Sequence, residues 1–315
     1  MAGDRIIAVL GATGSQGGGL CEAILSDPGG GFACRAITRN PGSDGARALA
    51  ARGLEVVAAD LDDQASLAAA FAGAHGVFGV TNYPEAGSVE REQQQAINIA
   101  KAARTADAGH VIWSTLDDTT QWLPVSDPRM PTLFGRYKVP HSDAKGQIDH
   151  VFTDLGLPVT FLLTCFYWDN FYNHGWGPQR GQDGAYRLTL PIGKARMPGI
   201  AAEDIGQCAY GVFSNAAGYV GETVGIAGEQ LSGAEMAEKC SAALGVDCRF
   251  DPMSPEAYRN LGFPGADDLG NMFQIFDEFE PAYCASRSVE AARALAPSLM
   301  DFDQWLAKYQ SRIPL

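Results

Sequence analysis

The chain has 315 residues, of which 46% are hydrophobic and 19% charged, and its formal net charge is −14. That acidity argues against direct nucleic-acid binding, because a phosphate backbone would be repelled, yet a local arginine and helix N-termini can still hold a small anion. No stretch approaches the roughly 18–20 uninterrupted apolar residues needed to cross a bilayer, and because Met1-Ala2-Gly3-Asp4-Arg5 runs straight into an apolar segment, no signal peptide is expected.

In chain order, the apolar run 6–10 predicts a first strand. It is followed at once by Gly11, Gly14 and Gly17 in a G-x-x-G-x-x-G spacing, and then by a helix-compatible segment at 20–25. Strand, glycine turn and helix form the context in which a dinucleotide pyrophosphate rests on free N–H groups at a helix start. Gly11, Thr13, Gly14, Ser15, Gln16 and Gly17 are therefore the expected contacts of the turn. Residues 32–40 read as a second strand ending about 20 residues beyond the last glycine, where the adenosine ribose would lie. An NAD site would place Asp or Glu there. This sequence has Thr38, Arg39 and Asn40 instead, and an arginine fork suits a 2′-phosphate, which favours NADP(H) over NAD(H). The plainer alternative for Arg39 is a solvated residue at a strand end.

Residues 54–60, 75–81 and 110–115 read as further strands, alternating with helix signals at 64–71 and 89–104. Such alternation, with continuously apolar strands, predicts a doubly wound parallel α/β sheet of the Rossmann type, with ligand at the C-terminal strand ends. Asp60, Leu61, Thr81, Asn82 and Tyr83 fall at those ends and are counted among the cofactor contacts. After about residue 116 the regularity breaks. Pro124, Pro128, Pro131 and Pro140 punctuate a long loop before a helix signal at 145–155 and a sixth strand at 158–163.

Beyond that strand come Cys165, Phe166 and Tyr167, also expected at the cofactor, within an aromatic run at 166–172. Tyr83, Trp122, Tyr167, Trp168 and Trp176 are expected to line a substrate pocket, which Phe134 would extend if the proline-rich loop closed over it. For each ring the alternative is packing between sheet and cap. Helices are expected within 200–213, 232–245, 254–261 and near 268–277, with a strand at 223–226. This divides the chain into a dinucleotide-binding domain over 1–160, to which segments near 199–228 return, and a smaller α+β cap over 161–315. The seven cysteines are scattered without a C-x-x-C pair, so reduced thiols in a cytoplasmic protein are expected, with neither disulfide framework nor zinc site. His150 and His174 lack metal-ligand company, and no metal is expected.

With these residues in view, the chain resembles the NmrA-like family, an atypical branch of the short-chain dehydrogenase/reductase superfamily. The resemblance runs nearly end to end, through Gly11-Ala12-Thr13-Gly14-Ser15-Gln16-Gly17-Gly18, Thr38-Arg39-Asn40, Thr81-Asn82-Tyr83, and His141-Ser142-Asp143-Ala144-Lys145-Gly146. It continues through Asp154-Leu155-Gly156-Leu157-Pro158, Leu261-Gly262-Phe263-Pro264-Gly265-Ala266, Asn271-Met272-Phe273 and Asp303-Gln304-Trp305-Leu306. Several of these segments look most like the redox-sensor (HSCARG-type) subgroup. The resemblance implies NADPH binding. In the subgroup it further implies conformational and oligomeric responses to the NADPH/NADP ratio and action through a regulatory protein partner, a homodimer being one expected form. In the wider family it implies an NADPH-dependent reductase of a small molecule.

Ordinary members of the superfamily carry Tyr-x-x-x-Lys on one helix and a Ser at the end of strand five. Here the pattern reads His141-x-x-x-Lys145, with Ser114 at the strand end, and the spacing places positions 141 and 145 on one helical face. Three readings of His141 stay open: general acid, hydrogen-bonding group in a non-catalytic nucleotide binder, or structural residue at a helix start. Lys145 serves as a ribose-positioning cation in either functional reading, or else lies on a solvated face. Tyr83 and Tyr137 are candidate replacement acids. Gln94 stands where the sensor subgroup can carry a cofactor-facing lysine, and Asp117-Asp118 reads as a turn. The expected function is NADPH-dependent reduction of a small apolar carbonyl, imine or activated alkene, and the alternative is a catalytically silent NADPH/NADP sensor.

Overall fold

A continuous apolar run becomes a strand here when both of its faces are covered, and every residue of the three strands at 76–79, 110–115 and 159–163 is buried. The computed structural model describes residues 5–315, and the signal-peptide expectation, which rests on residues 1–4, lies outside them. The first half runs β1 (Arg5–Val9), α1 (Ser15–Ser26), β2 (Phe32–Thr38), α2 (Asp44–Ala51), β3 (Glu55–Ala58), α3 (Gln64–Phe71), β4 (Gly76–Gly79), α4 (Tyr83–Ala86), α5 (Val89–Thr105) and β5 (His110–Thr115). After a long loop come α6 (Pro140–Gly146), α7 (His150–Asp154) and β6 (Val159–Leu163).

The second half adds β7 (Phe166–Tyr167), α8 (Asn170–Asn173), β8 (Gln179–Arg180), β9 (Tyr186–Leu188), β10 (Arg196–Ile200), α9 (Ala202–Ser214), β11 (Thr223–Gly225) and β12 (Glu229–Ser232). It closes with α10 (Gly233–Leu244), β13 (Cys248–Phe250), α11 (Pro255–Arg259), α12 (Ala266–Glu278), α13 (Glu280–Ala285), α14 (Val289–Leu295) and α15 (Phe302–Tyr309). β11 joins the main sheet, whose seven strands run β11-β6-β5-β4-β1-β2-β3. All its neighbours pair parallel. The fold is therefore a doubly wound, Rossmann-like parallel sheet. Its order reverses between β1 and β4, which opens a crevice at their C-terminal ends.

Over that crevice sits a smaller C-terminal region of helices with two three-stranded sheets, β12-β10-β7 and β13-β9-β8. Its own core is aromatic, built on Trp168, Phe171, Phe273, Phe302 and Trp305. α9 returns to the main sheet domain, where Ile205 and Cys208 share a core with Leu20 and Ile24 of α1, and the two helices also meet backbone to backbone. A Cβ built on Gly19 would lie 2.1 Å from the Glu203 carbonyl oxygen, and one on Gly206 would lie 2.0 Å from the Leu20 nitrogen. Only glycine permits backbones to pass that closely.

Two departures from the sequence reading bear on the site. The helix expected at 145–155 is two short helices, α6 and α7, and the first begins at Pro140 rather than after it. Proline suits the first turn of a helix because the N–H it lacks has no intrahelical acceptor there. β10 was hidden by Pro198 and Gly199, both poor strand formers. Gly199 is required for another reason, since a Cβ there would lie 2.1 Å from the Trp168 indole nitrogen. The described residues contain no helix long and apolar enough to cross a membrane. All seven cysteines are free thiols, and Cys21 of α1 and Cys34 of β2 bring their Sγ atoms to 3.3 Å.

Gly206→Ala is expected to destabilise the protein by about 3 kcal/mol, since a methyl group there must push backbone rather than a flexible side chain. Gly18→Ala, whose Cβ would meet nothing nearer than 3.4 Å, should change stability by less than about 1 kcal/mol and in the stabilising direction. Denaturant unfolding of the two variants beside wild type measures the difference.

Candidate functional site

The glycine turn forms one wall of a cavity of about 760 Å³. Gly11 adopts a left-handed backbone, φ +62°, which turns the chain from β1 into α1. Gly17 lets the helix start press onto the strand end: a Cβ there would lie 2.5 Å from the carbonyl oxygens of Leu10 and Gly11. Gly14 caps α1 without any side-chain acceptor, so first-turn N–H groups have no intrahelical partner. Gly11, Thr13, Gly14, Ser15, Gln16 and Gly17 all line the cavity, and this cradle could hold a diphosphate.

At the far end, Thr38, Arg39, Leu61, Asn82 and Tyr83 continue the lining. The Arg39 guanidinium is paired with Glu85 of α4 at 2.7 Å. Two expected contacts stand aside. Asn40 does not face the cavity; its Oδ1 accepts from the Gly42 N–H and closes a turn. Asp60 lies in an adjoining recess of about 50 Å³ shared with Arg39, Asp62, Glu85 and Arg91, and its Oδ1 accepts from the Asp62 N–H.

The opposite wall is α6, and a buried carboxylate positions it. Asp143 Oδ1 accepts from the Thr119 N–H and hydroxyl, each at 2.7 Å, and Oδ2 accepts from the Lys138 and Val139 N–H groups at 2.9 and 3.0 Å. Those bonds tie the long loop to the helix start, and burial pushes the Asp143 carboxyl up against them. Lys145 follows on the cavity side. Its Nζ donates to Thr81 Oγ1 at 2.5 Å and lies 3.2 Å from Glu92 Oε1, which also accepts from the Thr81 hydroxyl at 2.7 Å. Glu92 is buried, and its second oxygen has no partner.

His141 lines the cavity one turn before Lys145. Its Nδ1 donates to Asp268 Oδ1 of α12 at 2.8 Å, and its backbone N–H donates to Asp268 Oδ2 at 3.3 Å. Burial alone would lower the imidazole pKa, but the Asp268 carboxylate, helped by Glu92 and Asp143, outweighs it and raises the value. Ser114 also lines the cavity, but its hydroxyl donates to Gln16 Oε1 at 2.8 Å while Gln16 Nε2 donates to the Tyr167 hydroxyl at 2.6 Å. Burial pushes both Tyr83 and Tyr167 up to about 12. Tyr137 is buried away from the cavity, against Val89 and Ala144.

Cys165, Phe166, Tyr167, Trp122 and Trp176 reach the cavity with Met272, Ile275 and Phe276 of α12. Two aromatic expectations are corrected. Trp168 is 1% exposed and packs against Phe302 and Trp305, because the glycine at 199 draws it into the C-terminal core. Phe134 is 77% exposed on the loop and does not line the cavity. Gln94 is exposed and donates to Asn98, away from the site. Asp118 caps a short turn through the Thr120 N–H, whereas Asp117 pairs with fully buried Arg287 at 2.5 Å. Among the described residues, no group of three or more His, Cys, Asp or Glu side chains could hold a metal ion.

The sequence reading missed Glu92 on α5, Asp268 on α12 and Arg287 in the turn between α13 and α14, all from segments without a motif. Glu92 carried one faint signal, an acidic residue on the buried stripe of α5.

A model of the NmrA-like family matches residues 3–306. The NmrA-like family domain-containing oxidoreductase FrzB of Cladobotryum sp is 28% identical over 92% of this chain and 89% of its own. The NAD(P)H azoreductase of Xenophilus azovorans is 27% identical over 73% of this chain and 74% of its own. Among solved structures, the negative transcriptional regulator NmrA superposes with a TM-score of 0.79 at 22% identity, covering 97% of this chain and 95% of that one.

Asp143→Ala leaves four donors without their acceptor and is expected to cost about 3 kcal/mol of stability. Limited proteolysis should then cut first within the loop at 117–139, while Asp118→Ala, which frees only a local cap, leaves the loop resistant.

Proposed function

The chain belongs to the NmrA-like family, and on that premise we propose that it is an NADPH-dependent reductase of a small apolar carbonyl, imine or activated alkene. What supports this is that His141 and Lys145, one turn apart on α6, line the same cavity as the glycine turn and the apolar wall of Trp122, Phe166, Trp176, Met272 and Phe276. The cradle at Gly17, which any Cβ would fill, fits a pyrophosphate pressed against the N-terminus of α1. Arg39 is the group for a 2′-phosphate, released from Glu85 when the phosphate arrives. When bound, the reduced nicotinamide supplies a hydride.

The chain's own residues do the rest. Lys145, fixed by Thr81 and Glu92, orients the ribose and adds positive charge near the reacting atoms. His141 presents its proton to the substrate atom that gains negative charge. The apolar wall excludes water and grips the substrate. Tyr83 and Tyr167, with pKa values near 12, are weaker acids than a protonated imidazole. The sensor reading draws on one observation: the Ser114 hydroxyl is engaged with Gln16 rather than turned to a substrate.

Fluorescence titration is expected to show tighter binding of NADPH than of NADH, with Arg39→Asp weakening NADPH about tenfold or more; equal affinities would overturn the cofactor assignment. In a panel of carbonyl, imine and activated-alkene compounds, at least one should be reduced with loss of nicotinamide absorbance, and Lys145→Ala should lower both NADPH affinity and turnover. No turnover, together with a change of oligomeric state on adding NADPH, decides for the sensor.

A further inference from the structure

We propose that Asp268 is the positioning residue that makes His141 a proton donor, reaching from α12 in the C-terminal region to a helix of the main sheet domain. The role of that proton rests on the reductase reading; the dyad itself does not.

The geometry is specific. One carboxylate takes two donors from one residue, the ring Nδ1 at 2.8 Å and the backbone N–H at 3.3 Å, so it fixes ring and main chain together. A carboxylate accepts only, so Nδ1 must carry its hydrogen and Nε2 is the nitrogen left free. His141 lines the cavity and its ring lies 6.2 Å from that of Tyr83. The bond to the main-chain N–H caps the first turn of α6, but the start of that helix is also held by the donors on Asp143, so the bond to the ring is additional to what the helix needs. The pair is mostly buried, with side chains 19% and 13% exposed, so solvent screens it little.

The charges around the imidazole reinforce this. Asp268 faces it from α12, Glu92 from α5, and Asp143 from its own helix. Lys145 is the cation one turn along, and its charge is matched by Glu92. Tyr83 from α4 is neutral. With Asp268 present, the ring stays protonated to higher pH than a free histidine. Without it, burial is left to favour the neutral form. Proton donation from Nε2 to a substrate leaves a neutral ring with the hydrogen on Nδ1, still bonded to Asp268, and solvent re-protonates Nε2 before the next turnover.

The test is Asp268→Asn, which keeps an acceptor and the side-chain shape but removes the charge. The five histidines allow His141 to be followed by NMR of histidine-labelled protein, its signal assigned by its loss in His141→Gln. The expected result is that Asp268→Asn lowers the His141 titration midpoint by about 1–2 units, with NADPH affinity unchanged. The alkaline limb of the turnover profile should move down by the same amount, and Asp268→Glu should restore part of it. An unmoved titration overturns the dyad. A shifted titration with an unmoved alkaline limb overturns its part in proton delivery. If wild type reduces nothing in the panel, the reductase reading and the delivery role fall together, and the NMR titration alone decides whether Asp268 holds the charge on His141.

Discussion

Backbone pressed against backbone is the constraint from which the rest of this molecule follows. At Gly17 the start of α1 touches the end of β1, and at Gly19 and Gly206 the same helix touches α9, all at separations no side chain would tolerate. The helix whose N-terminus faces the cavity is thereby fixed through its first half, to the main sheet and to the helix that follows β10. Contacts of this kind leave no rotamer to adjust. The wall formed by α1 is consequently set by main chain, whereas the facing wall at α6 is set by the Asp143 carboxylate.

The second organising fact is electrostatic. Four basic side chains that line the cavity have a carboxylate of their own: Arg39 with Glu85, Lys145 with Glu92, Arg287 with Asp117, and His141 with Asp268. An acidic chain with a net charge of −14 has spent part of that excess inside its own site. The pairings differ in depth. Arg287 and Glu92 are almost completely buried, whereas Arg39 and Glu85 are more than half exposed. Buried pairs hold their geometry, because removing one partner would strand the other charge away from water. The exposed pair is held weakly.

How much of this was legible in the sequence follows from where the information lies. The glycine turn, the parallel strands and the register of His141 with Lys145 are local patterns, and local periodicity writes them directly into the chain. Trp168 was misjudged because its fate is decided by a glycine 31 positions away, where any side chain would have displaced the indole. Asp268 was invisible for the same kind of reason: it is separated from His141 by 127 residues, and an aspartate in the first turn of a helix has an ordinary explanation in the helix dipole. Pro198 hid a strand by propensity alone, although tertiary pairing with Gln230 overrides it.

The exposed pair between Arg39 and Glu85 has a consequence for how the cavity meets its surroundings. An anion that binds Arg39 does not add to a bare charge; it exchanges with a carboxylate already there. Dissolved ions weaken the outgoing contact as well as the incoming one. The affinity for such an anion therefore varies less with ionic strength than a count of arginines would suggest, and the far end of the cavity is buffered against changes in the salt around it.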